Sequence, residues 1–366
     1  MTSTEPDRPR ARLPLRRVLQ FAGTTALGVL LLWLVFRGVD LDEFVASIRG
    51  VSPFWWLMMV LSSCAMHLVR VWRWHLIVVR VERTSLRQTL SIGSVGMMAI
   101  QAIPLRLGEF VRPYLLTQRC RMSFGGAMYT VVIERTLDLL SLAVMFAVAV
   151  FFADIPLQIL TLGDWEVSFI QEGQRVIGIA LIPFAGCLLA FLLLGERAVR
   201  WTVAAVRAVH GRLADQIESF LVSFLEGVRT MRDLRFGVAM VLTSAAAWLL
   251  NVAIYWTLAQ AFGLELPLMA GVVIMVVFMV GILLPAPPLF AGVFEVFLIA
   301  GLLLYNVPHD QGAAYAAVCH VTEICLLFGW GLPFLWLDGM SFRGLLDVAR
   351  LAKREADDEE PEPLES

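Results

Sequence analysis

Apolar runs long enough to cross a bilayer recur along this chain, with arginines gathered at alternate ends of them. The runs fall at about 18–37, 53–79, 124–153, 174–195, 236–262 and 311–337. A hydrocarbon core about 30 Å thick takes roughly 20 helical residues to cross. Every backbone amide inside it must be satisfied within the chain. The pattern therefore predicts an all-α polytopic integral membrane protein. Composition agrees: 16% of the residues are charged, against about 25% in soluble domains.

Arginine placement sets the orientation. Arg8, Arg10, Arg12, Arg16 and Arg17 precede the first run, Arg80, Arg83 and Arg87 follow the second, and Arg343, Arg350, Lys353 and Arg354 follow the last. Under the positive-inside rule both termini are cytoplasmic. Residues 1–17 read as a basic cytoplasmic N-terminus, 18–340 as the transmembrane domain and 341–366 as a cytoplasmic tail. The acidic, proline-containing end of that tail has the composition of disorder. The first run is long enough to span and shows no small-residue cleavage site, so it is expected to be a retained helix. Residues 40–50 are short and amphipathic and are placed at the outer surface. The loop at 154–172 is acidic without a basic residue, as an outside loop can be. Segment 196–235 carries arginines 197, 200, 207, 212, 229, 232 and 235 with apolar residues at helical spacing. It reads as a cytoplasmic amphipathic helix on anionic lipid or as a solvated inside loop.

Several function classes drop out. Lys353 is the only lysine, so there is no P-loop lysine for a nucleotide's phosphates and no lysine placed for a Schiff base. None of the five cysteines forms a C-x-x-C pair, and the five histidines are scattered. They read as packing residues, and no metal site, cofactor, nucleic-acid partner or enzyme activity is predicted.

Two apolar hairpins are interrupted. The arms 89–104 and 105–118 are broken at Pro104, with Gly108 beyond it. The arms 268–284 and 289–305 are broken at Pro285, Pro287 and Pro288, with Gly292 beyond them. Fourteen helical residues reach about 21 Å, short of a full crossing, so the first pair reads as re-entrant. The hairpins recur in register. Glu109 and Glu295 differ by 186 positions, as do Gly126 and Gly312, Ala127 and Ala313, Tyr129 and Tyr315, and Val132 and Val318. Repeat one spans 53–153 and repeat two 236–337. The single helix between them turns the second upside down, an arrangement used by transporters.

The charges near these breaks are the candidate site. An Arg or Asp at a membrane centre costs roughly 2.5–3.5 kcal/mol on insertion scales, and persists where it faces protein or a wet cavity. Arg106 and Arg112 match a lipid phosphate, because guanidinium pairs bidentately with phosphate oxygens; the plainer reading is interfacial snorkelling. Glu109 is placed to neutralise Arg106 or to meet a cationic headgroup. Glu134 and Asp138 share a helix face with Arg135 between them, as an ion-pair network or a proton relay. Glu295 joins this set. Arg70 and Arg73, beside Trp72 and Trp74, read as membrane anchors or headgroup contacts, and Gln101, His320 and Glu323 are secondary candidates.

Three motifs together, Ala102-Ile103-Pro104-Leu105-Arg106-Leu107-Gly108-Glu109 with Arg112, Glu134-Arg135-Thr136-Leu137-Asp138, and Gly292-Val293-Phe294-Glu295, resemble the lysylphosphatidylglycerol synthase transmembrane, or flippase-like, family. The likeness covers about 15–340. The resemblance implies the membrane half of bacterial multiple-peptide-resistance proteins, which moves aminoacylated phosphatidylglycerol to the outer leaflet of the inner membrane. Two departures stand out. Where the family has glycines before Gly-x-x-Glu, this chain has Pro287-Pro288-Leu289-Phe290-Ala291. No aminoacyl-transferring domain is expected after residue 340. The expected function is that of a flippase-like protein that binds or translocates a phospholipid or polyprenyl-phosphate lipid. The alternatives are a proton- or ion-coupled small-solute transporter, or a non-transporting scaffold for an envelope enzyme. The partners expected are membrane lipid, an envelope enzyme, or a second copy of the chain.

Overall fold

The computed structural model describes residues 15–103, 108–154, 160–162, 165–167, 196–207, 211, 233–282, 287–341, 344–348 and 351. Pro104, Arg106, Pro285, the basic residues before 15, the run at 174–195, most of 208–232 and the acidic tail lie outside them.

The described residues are helical almost throughout. Their helices are α1 (Leu15–Phe36), α2 (Leu41–Arg49), α3 (Pro53–Val81), α4 (Leu86–Ala102), α5 (Val111–Cys120), α6 (Phe124–Phe152), α7 (Glu196–Arg207), α8 (Leu234–Ala261), α9 (Leu268–Ile282), α10 (Val293–Leu303) and α11 (His309–Leu337). One short antiparallel pair, β1 (Leu160–Leu162) with β2 (Trp165–Val167), lies in the predicted outer loop, in the register Leu160↔Val167 and Leu162↔Trp165. Strands of three residues are too short for alternation to show in a sequence.

Among the described residues, α3, α6, α8 and α11 are long and apolar enough to cross a membrane, and α1 with α2 makes a fifth candidate bent by 88°. These helices are partly inside out. Leu68, Val144, Val241, Leu242, Leu249 and Val321 are exposed, as lipid-facing side chains should be. Local chemistry sets the helix starts. Ser85 and Gln88 form a capping box on α4, Ser123 accepts from the Gly126 amide, and Pro53 opens α3, where its missing N–H is harmless.

Helices α3 and α8 run antiparallel along their length. At one end the Ser52 amide donates to the Ala261 carbonyl at 2.8 Å. At the other, Arg80 pairs with Asp233 at 2.6 Å and lies over the Phe236 ring at 4.7 Å. The Arg80 hydrogen bond holds the Asp233 carboxyl below the usual carboxylate range. Its contribution is full above the ordinary value of about 4 and is lost as pH falls through the lower folded value.

The packing falls into matched pairs around α3 and α8. Helix α4 packs on α3 and α11, and α9 packs on α8 and α6. Helix α5 packs on α4 and α6, and α10 packs on α9 and α11. The start of α4 and the end of α5 return to the same end of α11, because Ser91 and Arg119 both bond Asp338. Helix α2 lies across the other end of α11, where the Asp40 amide donates to Asp310. One apolar core, with Leu258, Met275, Leu298 and Tyr315, joins α8 to α11. Another, with Trp74, Ile92, Met98 and Leu116, joins α3 to α5.

Gly108 lets the first hairpin close, since a Cβ there would lie 2.2 Å from the Ala99 carbonyl oxygen. Backbone cannot yield as a side chain can. Gly108→Ala should therefore lower stability by about 1–3 kcal/mol, read as a lower thermal midpoint in detergent. Gly125→Ala, with nothing within 4 Å, should leave the midpoint unchanged or raise it.

Candidate functional site

The site forms where α3, α5 and α6 converge. Arg70 and Arg73 lie one turn apart on α3. Glu134 and Asp138 lie one turn apart on α6, so both can face α3. Arg73 meets Asp138 at 2.6 Å and Glu134 at 3.8 Å, and donates to Ser244 of α8 at 3.1 Å. Arg70 reaches Asp138 at 3.9 Å. Arg135 stands 3.8 Å from both Glu134 and Asp138.

Arg112 enters from α5. Its aliphatic stem crosses Gly96, where a Cβ would lie 2.0 Å from the Arg112 Cγ, so α4 needs a residue without a side chain there. The guanidinium then stacks over Trp74, with Cζ 4.0 Å from the ring centre, and Nη1 lies 2.7 Å from Glu134 Oε2. Trp74 is held in turn by its indole N–H donating to Thr130 at 3.3 Å. Cation–π stacking and ion pairing act on the same desolvated guanidinium, where each is strongest.

Exposure divides the cluster. The side chains of Arg73 and Glu134 are 0% exposed and that of Arg112 is 1%, whereas Asp138 is 19%, Arg70 29% and Arg135 48% exposed. The first three form a buried frame and the last three an accessible rim. Among the described residues, four arginines against Glu134 and Asp138 leave two positive charges. Glu109, exposed at the hairpin tip, is within electrostatic reach of Arg135 and brings the excess to one. Arg73 Nε, Arg112 Nε and Nη2 and both Glu134 oxygens have no aligned hydrogen-bond partner among the described residues. Among the described residues the cluster thus carries excess positive charge, and its rim is accessible to an anion.

A second polar group lies at the other hairpin. Glu295 Oε2 accepts from the Gly292 amide at 2.8 Å, and Oε1 lies 2.7 Å from His320 Nδ1. His320 Nε2 is 2.8 Å from the Leu289 carbonyl, and its ring stacks on Phe294 at 4.1 Å. One turn further along α11, Glu323 accepts from Ser63 of α3 at 2.5 Å.

The structure therefore brings together Arg70, Arg73, Arg112, Glu134, Arg135 and Asp138. It holds Glu295 and His320 apart from them, among the described contacts, and leaves Gln101 half-buried near the end of α4. Arg73 and Trp74 are not interfacial anchors: both are fully buried, because they lie on the face of α3 turned to α6. Of that aromatic stretch, Trp72 does face outward. Sequence reading missed Gly96, Trp74, Thr130 and Ser244 as parts of the frame. Their only signal was spacing against residues on other helices. Beside the site, Leu68, Trp72, Leu86, Leu90, Leu242 and Ala246 line an apolar cleft of about 470 Å³ between α3, α4 and α8.

A family model described as Lysylphosphatidylglycerol synthase TM region matches residues 20–331. No curated protein matches the chain.

Removing one partner of a buried ion pair strands the other charge, at about 3–5 kcal/mol. Arg112→Ala and Glu134→Ala should each sharply lower the thermal midpoint in detergent. The double variant should lose clearly less than the sum of the two. Arg135→Ala, with its side chain 48% exposed, should shift the midpoint little.

Proposed function

The chain belongs to the lysylphosphatidylglycerol synthase TM region family, and on that footing we propose that it binds and translocates a membrane lipid through the arginine cluster of α3, α5 and α6. One observation carries the reading: four arginines outnumber the carboxylates they touch, and two of them stand on an accessible rim. A phosphodiester or polyprenyl phosphate suits that excess, since guanidinium pairs bidentately with phosphate oxygens. Arg70 and Arg135 are the headgroup contacts. Arg73, Arg112 and Glu134 hold them in place, and Asp138 and Glu109 give the site its selectivity for headgroups carrying a cation. The acyl tails stay in hydrocarbon throughout, which conserves about 0.8 kcal/mol for each CH₂. The apolar cleft along α3 provides one wall for a tail.

Orientation follows charge. Arg80, Arg83, Arg87, Arg119, Arg121 and Arg235 gather at one end of the bundle. At the other lie Asp40, Asp42, Glu43, Asp154, Glu265 and Asp310, with Arg37 and Arg49 as its described arginines. Taking the arginine end as cytoplasmic, the first hairpin is re-entrant from the cytoplasm and the second from outside, in two inverted units of a bacterial inner-membrane transporter. Rocking of one unit against the other provides alternating access. The protein acts as a transporter and not as an enzyme.

Vesicles carrying the purified chain and trace fluorescent lipid test the reading by the rate at which label changes leaflet. Each charge-assisted contact is worth about 1.5–3 kcal/mol, so Arg135→Ala and Arg70→Ala should slow transfer about tenfold or more with an unchanged thermal midpoint. If no anionic, aminoacylated or polyprenyl-phosphate lipid moves faster than in protein-free vesicles, the reading is wrong. Flux of a soluble solute in the same vesicles would favour solute transport instead.

A further inference from the structure

The Glu295–His320 contact has a hydrogen-bond pattern that calls for one shared proton. Hydrogen-bond accounting shows this. The Leu289 carbonyl can only accept, so Nε2 of His320, 2.8 Å away, carries a hydrogen. The Gly292 amide donates to Glu295 Oε2. That leaves Oε1 and Nδ1 facing each other at 2.7 Å, a distance that requires a hydrogen between them. It sits as imidazolium against carboxylate or as carboxylic acid against neutral imidazole, and the count is one proton either way. Without it, two lone pairs would oppose each other beside an unpaired carboxylate that is 5% exposed, an arrangement that buried sites do not sustain.

We propose that Glu295 and His320 form a proton-binding site whose shared proton latches the second hairpin onto α11, so that opening this hairpin is coupled to proton release. On opening, the Oε1···Nδ1 and Nε2–H···O=C contacts break. The shared proton passes to water from the freed imidazole, which keeps its Nε2 hydrogen, and Glu295 is left as a carboxylate. Closing takes one proton back.

The charged and titratable groups around the pair are few. On α11 the neighbouring ionisable groups are Cys319 and Glu323, and Glu323 is engaged by Ser63 of α3. On α10 the Phe294 ring covers the imidazole. From α8 the neighbour is Tyr255, whose carbonyl accepts from the Tyr315 hydroxyl. At the hairpin tip, Gly28 of α1 lies against Pro287 and Ala291 and contributes no charge. No described ion pair brings an arginine to Glu295 or His320.

The first hairpin supplies an internal contrast. Residue 134 precedes residue 320 by 186 positions, the spacing that relates Glu109 to Glu295. At that register Glu134 takes Arg112 from the second arm of its own hairpin. Guanidinium does not deprotonate in proteins. The same structural tie is therefore fixed in one hairpin and proton-dependent in the other. Proton coupling adds an energy source to the lipid reading but does not depend on it, and it is tested without any cargo.

The test is hydrogen exchange of the full chain in lipid nanodiscs from pH 5.5 to 8.5, corrected for the chemical exchange rate. Imidazole in water loses its proton across this range. Above neutrality, protection of the 288–300 backbone should fall by up to about tenfold for each pH unit, the slope of one released proton. Protection over 111–120 should not follow. Glu295→Gln keeps the geometry, since its amide N–H can donate to Nδ1 and its oxygen can accept from Gly292. In that variant the hairpin should stay protected and the pH slope should vanish. A flat profile in the unaltered chain, an equal slope in both hairpins, or an unchanged slope in Glu295→Gln would each overturn the proposal.

Discussion

A carboxylate with no exposure to solvent, about ten residues inside a membrane-crossing helix, is the constraint around which the first hairpin is built. Glu134 lies near 15 Å from the start of α6 at 1.5 Å per residue. It cannot stay ionised there without cations, and Arg112 at 2.7 Å and Arg73 at 3.8 Å supply them. Arg112 is on a different helix, so the need for a counter-charge fixes where α5 packs. Its stem must pass over α4, which is why Gly96 faces it. Its guanidinium must be desolvated, which is why Trp74 lies beneath it. One buried charge thus sets the relative positions of α3, α4, α5 and α6.

The second hairpin meets the same need by different chemistry. There the carboxylate is on the arm and its partner on the final helix, with Glu295 and His320 taking the parts of Arg112 and Glu134 in reversed polarity. The first cluster carries excess positive charge and an accessible rim. The second is neutral as a unit and covered by Phe294 and the hairpin tip. A site with excess charge and an accessible rim suits a ligand. A saturated, charge-balanced contact suits a latch. The hairpins differ in whether their charges balance and whether solvent reaches them.

The helical, membrane-crossing character was legible in the sequence, because hydrophobic length reports directly on membrane crossing. The breaks after 103 and before 288 were legible through proline, and the pairing of Arg135 with Asp138 through helical spacing. What was not legible is long-range. Arg73 and Trp74 looked like interfacial anchors, because an Arg-x-Trp-Arg-Trp stretch near a helix end has the same composition whichever face it presents. Glu295 looked like the counterpart of Glu109, since their register is the same. Yet Glu109 is exposed while Glu295 caps its own arm and binds His320. Register shows which backbone positions correspond, but not which side chain finds a partner on another helix.

The prolines of the second break now have a physical role. Pro287 and Pro288 precede Leu289 and Phe290, both at φ 58, a left-handed conformation that costs bulky residues of order 1–3 kcal/mol each. Glycines would adopt it freely, and would as freely leave it. Here the left-handed turn is held in place. Proline fixes the approach, α1 packs Gly28 against Pro287 and Ala291, and the Leu289 carbonyl is anchored to His320. A tip built from strained residues and secured by a few contacts is poised to change conformation when one of them is lost. The departure from a glycine-rich tip thus makes the second hairpin depend on its anchor to His320, where a relaxed glycine turn would not.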